Sequence, residues 1–288
     1  MHSVNWTTFR PPVSFFLRLA QFVSVTRLEL SSCRFRFAHD LRRLTNSLPN
    51  LAELQLNRIS CAFSAVMEQP SHVIQTLAKL DMRLVCLEGH PDSLLATCAS
   101  YSTVTHLQVQ TEWFTSLGHF RNFVEGFPVL TTLTIILGYG RTWDSAVMAG
   151  PPSLESHSSV PSLATFTLIC YRSDLYHSAL IEQTLAWAAG TPSVTTLRDL
   201  RIGVAEYSTI AGLTIGLVLE KVSHTLETLH IEWRIPGSTF SLMGDCLETL
   251  HLTIHVDEDT RAFERTRYTI AMHSPASPVA IYERYIYA

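Results

Sequence analysis

The apolar residues of this chain recur in one local pattern: apolar, two residues, apolar, one residue, apolar. It reads Val25, Leu28, Leu30, then Leu51, Leu54, Leu56, then Leu77, Leu80, Met82, then Val104, Leu107, Val109, then Leu130, Leu133, Ile135. The second half continues it with Leu163, Phe166, Leu168, with Leu197, Leu200, Ile202, with Leu226, Leu229, Ile231 and with Leu247, Leu250, Leu252. Measured at the middle residue, the nine copies are separated by 26, 26, 27, 26, 33, 34, 29 and 21 residues. A period in this range marks a repeat architecture in which each copy is one supersecondary unit. The end of each copy alternates, which predicts a short strand with every second side chain in a core and the others facing out.

Between the copies the spacing turns helical. Leu41, Leu44 and Leu48 follow Asp40, a candidate N-cap; Phe120, Phe123, Val124 and Phe127 form a second group; Leu180, Ile181, Leu185 and Ala188 form a third. Pro49, Pro128, Pro161 and Pro192 each stand just before a strand copy, where proline stops a helix and favours extended entry. The expectation is therefore an α/β fold, a leucine-rich-repeat solenoid (horseshoe) with a parallel sheet on the concave face and helices on the convex face.

The repeat domain spans 25–254, with a Gly-, Pro- and Ser-rich surface loop expected at 138–160. Residues 1–24 read as a tail and a partial first repeat helix (Val13, Phe15, Phe16, Leu19, Phe22) with no strand ahead of it, as in a piece of a longer protein. Residues 255–288 mix charge with aromatics such as Tyr268 and Tyr282 and read as an irregular cap or tail.

Composition narrows the function. With 47% hydrophobic residues in 288, the chain has the material for a sizeable core. A net charge of −4 without clustered Lys and Arg argues against nucleic acid, which needs phosphate neutralisation. No apolar run approaches the roughly 18–20 residues of a membrane-spanning helix, and Arg18 interrupts the apolar stretch Val13–Val23, so neither membrane nor signal peptide is expected. The six cysteines show no C-x-x-C pair, which suits buried thiols in an intracellular protein of the cytoplasm or nucleus. Without a G-x-S-x-G elbow, phosphate loop, dinucleotide-binding glycines or H-E-x-x-H helix, the chain is expected to be no enzyme and to carry no cofactor.

The segment Val25–Cys61, VTRLELSSCRFRFAHDLRRLTNSLPNLAELQLNRISC, resembles the leucine-rich region of fungal F-box proteins, and the irregular repeat over roughly residues 13–254 is similar to it. In that family an F-box helix bundle docks on the Skp adaptor of a cullin-RING ubiquitin ligase and the repeats hold the substrate. No Leu-Pro-x-Glu-Leu segment stands ahead of residue 25, so docking on Skp is not carried over. The repeat position that usually holds Asn or Cys is Cys33 in the first copy but Ile59, Val85, Glu112, Gly138, Tyr171, Ala205, Arg234 and His255 in the others.

The expected function is a protein-protein interaction module for substrate recognition, with a protein partner bound across the outward strand positions. These are Arg27, Glu29, Glu53, Gln55, Asp81, Arg83, His106 and Gln108 in the first copies and Asp199, Arg201, His230, Glu232 and His251 in the last. Asn57, Lys79 and Gln110 accompany the first group; Thr132, Thr134, Ile136, Thr165, Thr167 and Ile169 give the middle copies a flatter, more apolar face. Exposed strand positions are polar whether or not anything binds them. His230 and His251 occupy equivalent positions, about 5 Å apart in paired strands, with Glu232 near. Such a set holds zinc elsewhere, but tandem repeats place residues side by side by chance, so no metal is expected and a pH-sensitive patch is the better reading. The alternatives are a truncated fragment without a partner and an enzyme using His230 and His251.

Overall fold

Each copy of the apolar pattern becomes a parallel strand in the computed structural model, which describes residues 1–8, 11–63, 76–85, 91–138, 161–170, 175–204, 218–222, 224–235, 249–256 and 265–271. The chain divides into two compact units, Met1–Thr131 and Thr132–Ala288. The first contains α1 (Val13–Leu19), β1 (Arg27–Ser31), β2 (Arg34–Phe35), α2 (Ala38–Asn46), β3 (Glu53–Cys61), β4 (Lys79–Val85), α3 (Pro91–Ala99), β5 (His106–Gln110) and α4 (Leu117–Glu125). Its sheet runs β1, β3, β4, β5, all parallel, and β2 pairs with the far end of β3.

The second unit contains β6 (Thr132–Leu137), β7 (Thr165–Cys170), α5 (Leu175–Ala189), β8 (Asp199–Val204), β9 (Thr228–Ile235), β10 (Thr249–Val256) and β11 (Arg265–Ala271). Strands β6 to β10 are parallel in chain order, and β11 returns antiparallel along β10. The protein is thus α/β, with parallel strands alternating with helices. Among the described residues no helix is long and apolar enough to cross a membrane.

The repeat period sets the register. Leu28, Leu54, Leu80 and Leu107 stand opposite one another in the first unit; Leu133, Phe166, Leu200, Leu229 and Leu250 do so in the second. Leu54, Leu80, Leu107, Leu133, Phe166, Leu200 and Leu229 are buried, as are Leu51, Leu77, Val104 and Leu130 just ahead of their strands. Alternation toward a core, at about 25 cal/mol for each Å² of apolar surface removed from water, selects this register over a one-residue slip.

Two further repetitions hold the copies together. Ahead of three strands of the first unit a carbonyl accepts from two successive N–H groups of the next copy: Thr26 O from Ala52 and Glu53, Ala52 O from Ala78 and Lys79, Ala78 O from Thr105 and His106. In the second unit Ala164 O accepts from Arg198 and Asp199, and Arg198 O from Glu227 and Thr228. A hydroxyl ladder runs beside it, with Thr76 donating to Leu51 O at 2.7 Å, Thr103 to Leu77 O at 2.8 Å and Thr196 to Leu163 O at 2.8 Å. These threonines stand directly before the first apolar residue of a copy, a position the apolar pattern does not single out.

The structure differs from the sequence expectation in local ways. Asp40 is not the N-cap of α2 but its third residue; its carboxylate reaches back to accept from Phe37 N at 3.1 Å, the reverse half of a capping box. Helix α3, which the periodicity does not pick out, buries the polar Ser93 and Thr97 alongside Leu94, Leu95 and Cys98, so polar and apolar residues share its covered side and no apolar stripe marks it. Residues 1–6 lie along β1: His2 bridges Ser31 and Asn5 bridges Arg34, both parallel. Ser3, Ser32 and Arg58 share a left-handed backbone at φ 54°, 53° and 54°, so the same bend recurs at three corresponding places. Trp6 anchors the segment, buried edge-on against Phe16 and Phe35 with ring centroids 6.0 and 5.0 Å away. Within 255–288, read as cap or tail, residues 265–271 form β11. Nearly all of the loop expected at 138–160 lies outside the described residues.

Candidate functional site

In the first unit the polar positions of β1, β3, β4 and β5 stack in rows. Arg27, Glu53, Lys79 and His106 form one row; Glu29, Gln55, Asp81 and Gln108 form the next; Ser31, Asn57 and Arg83 form a third. These rows hold one another. Arg27 lies 3.9 Å from the Glu53 carboxylate and donates to Gln55 Oε1 at 3.1 Å. Arg83 donates through Nε to Asp81 Oδ2 at 2.9 Å, and Gln108 donates to Asp81 Oδ1 at 3.0 Å. Asp81, expected among the outward binding residues, is only 6% exposed and serves as the shared acceptor beneath Arg83 and Gln108. Arg27, Glu29, Arg83 and His106 are exposed and Glu53, Gln55 and Gln108 half-buried. Among the described residues, Asn57 Oδ1 and Gln110 Oε1 are buried without a hydrogen-bond partner.

The second unit is built differently. Thr132, Thr165, Asp199, Thr228 and Thr249 form one row, and Thr134, Thr167, Arg201, His230 and His251 the next. Arg201 grips Asp199 on its own strand at 2.8 Å, and the hydrogen bonds and charge of Asp199 hold the guanidinium still more firmly protonated. The row beyond contains Ile136, Ile169, Gly203, Glu232 and Thr253. Ile136, read as outward-facing, is buried, 6% exposed, whereas Ile169 is half-buried. Among the described residues, a Cβ built on Gly203 would meet nothing closer than Leu168 O at 3.9 Å.

His230 and His251 stand opposite each other, as the repeat predicts, and Glu232 faces Thr253 one row further on. Among the described residues no three His, Cys, Asp or Glu converge as a metal-binding group. The sequence reading ended its face at residue 254 and so missed β11, which brings Arg265 opposite His255 and Arg267 opposite Thr253. The alternation of Arg265, Arg267 and Thr269 with Thr266, Tyr268 and Ile270 is the signal that marks this strand.

The described cysteines lie in the core. Cys33, Cys61 and Cys98 are free thiols, and they and Cys170 are buried. Burial, with a smaller contribution from the Asp40 charge, pushes the Cys61 thiol up to about 12, and burial raises Cys98 further, so both stay protonated and inert near neutrality. Tyr101, buried among them, spends its hydroxyl on Thr45 at 2.8 Å, tying the C-terminal side of α3 to α2.

Compared with models of known protein families, with curated proteins and with solved structures, the chain matches none of them.

Proposed function

We propose that the chain is a leucine-rich-repeat solenoid that recognises a protein partner across the polar face of its parallel strands. What supports this reading most directly is the register: the middle apolar residues of the repeat copies pair with one another within each unit, so the polar positions between them stack into rows on the opposite face. Such rows place many side chains of mixed chemistry at a fixed spacing of about 4.8 Å, which suits specific recognition of an extended surface better than capture of a small molecule. The resemblance of Val25–Cys61 to F-box-associated repeats makes substrate recognition for a ubiquitin ligase the form of this function; docking on a Skp adaptor is not part of the proposal.

The test is recovery of a partner from a cell extract by tagged protein, comparing wild type with two variants. One carries Arg27→Ala, Lys79→Ala and His106→Ala, the other Asp199→Ala, Arg201→Ala and His230→Ala. A specific protein recovered by wild type and lost in at least one variant of unchanged melting temperature is the expected result. Recovery that neither variant alters overturns the reading.

A further inference from the structure

On the side of β1 away from β3, the chain's own residues 1–6 lie as an added strand. Ser31 N donates to Met1 O and Ser3 N to Ser31 O, both at 2.9 Å; Arg34 N donates to Val4 O and Trp6 N to Arg34 O, both at 2.8 Å. Among residues 1–8 only Trp6 is buried, its ring edge-on to Phe15 and Phe16 of α1 and to Phe35 of β2. The edge of β1 and β2, with this aromatic pocket, is thus a groove for an extended segment, filled through main-chain bonds and one anchoring side chain.

Beside the groove lies an apolar surface left uncovered among the described residues. Val13 and Leu17, one turn apart on α1, are 64% and 67% exposed, and Phe22 and Val23, on the way into β1, are 54% and 59% exposed. Arg18 is the only charged residue from 11 to 26. A patch that is apolar and poor in charge is what the centre of a protein interface presents. The end of a stack of repeats, by contrast, needs a polar outer face to remain alone in water.

We infer that two copies of this chain associate by exchanging residues 1–6, each segment lying in the other copy's groove while the two α1 helices pack Val13 and Leu17 together. The occupant is a second copy because the one sequence the groove is seen to hold is this chain's own. An exchanged segment makes the same main-chain bonds and the same aromatic contacts as the closed one, so these cancel, and exchange is a low-cost route to a dimer. The connection sets the geometry. Residues 7–12 join Trp6 to α1 and reach at most about 20 Å, so exchange brings the two α1 helices side by side. The free energy favouring the dimer comes from the apolar α1 surface, which stays wet in a single copy and is removed from water in the pair. This goes beyond the recognition reading and does not depend on it.

Light scattering on the full chain, at concentrations up to about 100 µM, and disulfide trapping together test this. Asn5 and Arg34 bridge directly across the groove and both are exposed, so cysteines at the two positions come within disulfide reach. The Asn5→Cys with Arg34→Cys variant is equilibrated at each concentration, oxidised and run on a non-reducing gel. The expected result is a dimer whose share grows with concentration, and a covalently linked pair of chains that grows with it. Val13→Glu with Leu17→Glu, both at exposed positions, should weaken association on the order of tenfold. A chain that stays monomeric throughout overturns the inference, and so does a dimer whose chains are each bridged internally, since it forms without exchange. Association untouched by the two glutamates, or a covalent dimer given equally by Asn5→Cys or Arg34→Cys alone, overturns it as well. Should the trapping variant fail to fold, light scattering on wild type and on the glutamate variant still decides.

Discussion

Two Asp-x-Arg pairs, Asp81 with Arg83 on β4 and Asp199 with Arg201 on β8, close to the same 2.8 Å, yet they do different work. The Asp81 side chain is 8% exposed and accepts a further hydrogen bond from Gln108 on the next strand; the Asp199 side chain is 21% exposed and holds only its own arginine through the hydrogen bonds described. Geometry alone therefore says little about what an ion pair contributes. A carboxylate buried under two donors joins neighbouring strands and cannot be removed without stranding them, whereas a half-wet pair mostly neutralises itself. Among the described side chains, the first unit links its charges from strand to strand, whereas the Asp199–Arg201 pair of the second closes within one strand.

The sharpest way to break this comparison is to remove both acids. Asp81→Ala should cost about 2–4 kcal/mol in urea denaturation and speed hydrogen exchange in β4 and β5, because Arg83 and Gln108 both lose their acceptor. Asp199→Ala should cost less than about 1 kcal/mol. Equal losses would show that burial is not what separates the pairs.

A second contrast lies in alkaline stability. Cys61 is held neutral in the fold, with its pKa raised from 9.0 to about 12, whereas the unfolded thiol ionises at its ordinary value. Its contribution is present below pH 9 and is lost as the pH rises from there toward 12, at a slope approaching about 1.4 kcal/mol per pH unit for a fully buried group and less for this one. Cys61→Ala should flatten the decline of stability above pH 9 measured by denaturant titration at a series of pH values. A slope that the substitution leaves untouched would place the alkaline sensitivity elsewhere.

Smaller effects probe the ladders. Thr103→Val keeps the shape and removes the bond to Leu77 O, and thermal melting should register a loss of about 1 kcal/mol. Arg27→Ala should change stability by less than about 0.5 kcal/mol, since Arg27 and Glu53 are 3.9 Å apart with side chains 62% and 44% exposed. A larger loss would mean that the first unit's outer row is as integrated as the Asp81 network.

The strands were legible because period-two burial and a 26-residue step state the same register twice. Leu28, Leu54 and Leu80 are each flanked by polar residues, so a slip would turn the apolar set outward. Helix α4 was legible for a similar reason, its phenylalanines marking one side. Helix α3 was not, because the buried Ser93 and Thr97 break up the stripe that periodicity detects. Nor were residues 1–6, where Trp6 makes the anchoring contact and no apolar triplet precedes it. For the site, the rows of Arg27, Glu53 and His106 and the facing of His230 and His251 followed from counting residues. The role of Asp81 did not, because position within a copy cannot reveal how deeply the neighbouring strand covers a side chain. The rows ending at Arg265 and Arg267 were hidden by a reversal of strand direction that no parallel repeat announces.

The shared carbonyls ahead of each strand carry a consequence for how such a chain changes over generations. Thr26, Ala52 and Ala78 each serve two N–H groups of the following copy, so these copies present the same acceptor on one side and the same donors on the other. Loss of the whole stretch from Ala52 to Leu77 would bring Thr26 against Ala78 and Lys79 with all partners still matched, whereas loss of a few residues would leave a carbonyl facing the wrong amides. Length variation is therefore quantised: copies come and go as units, and the odd-sized steps are accommodated between strands rather than within them.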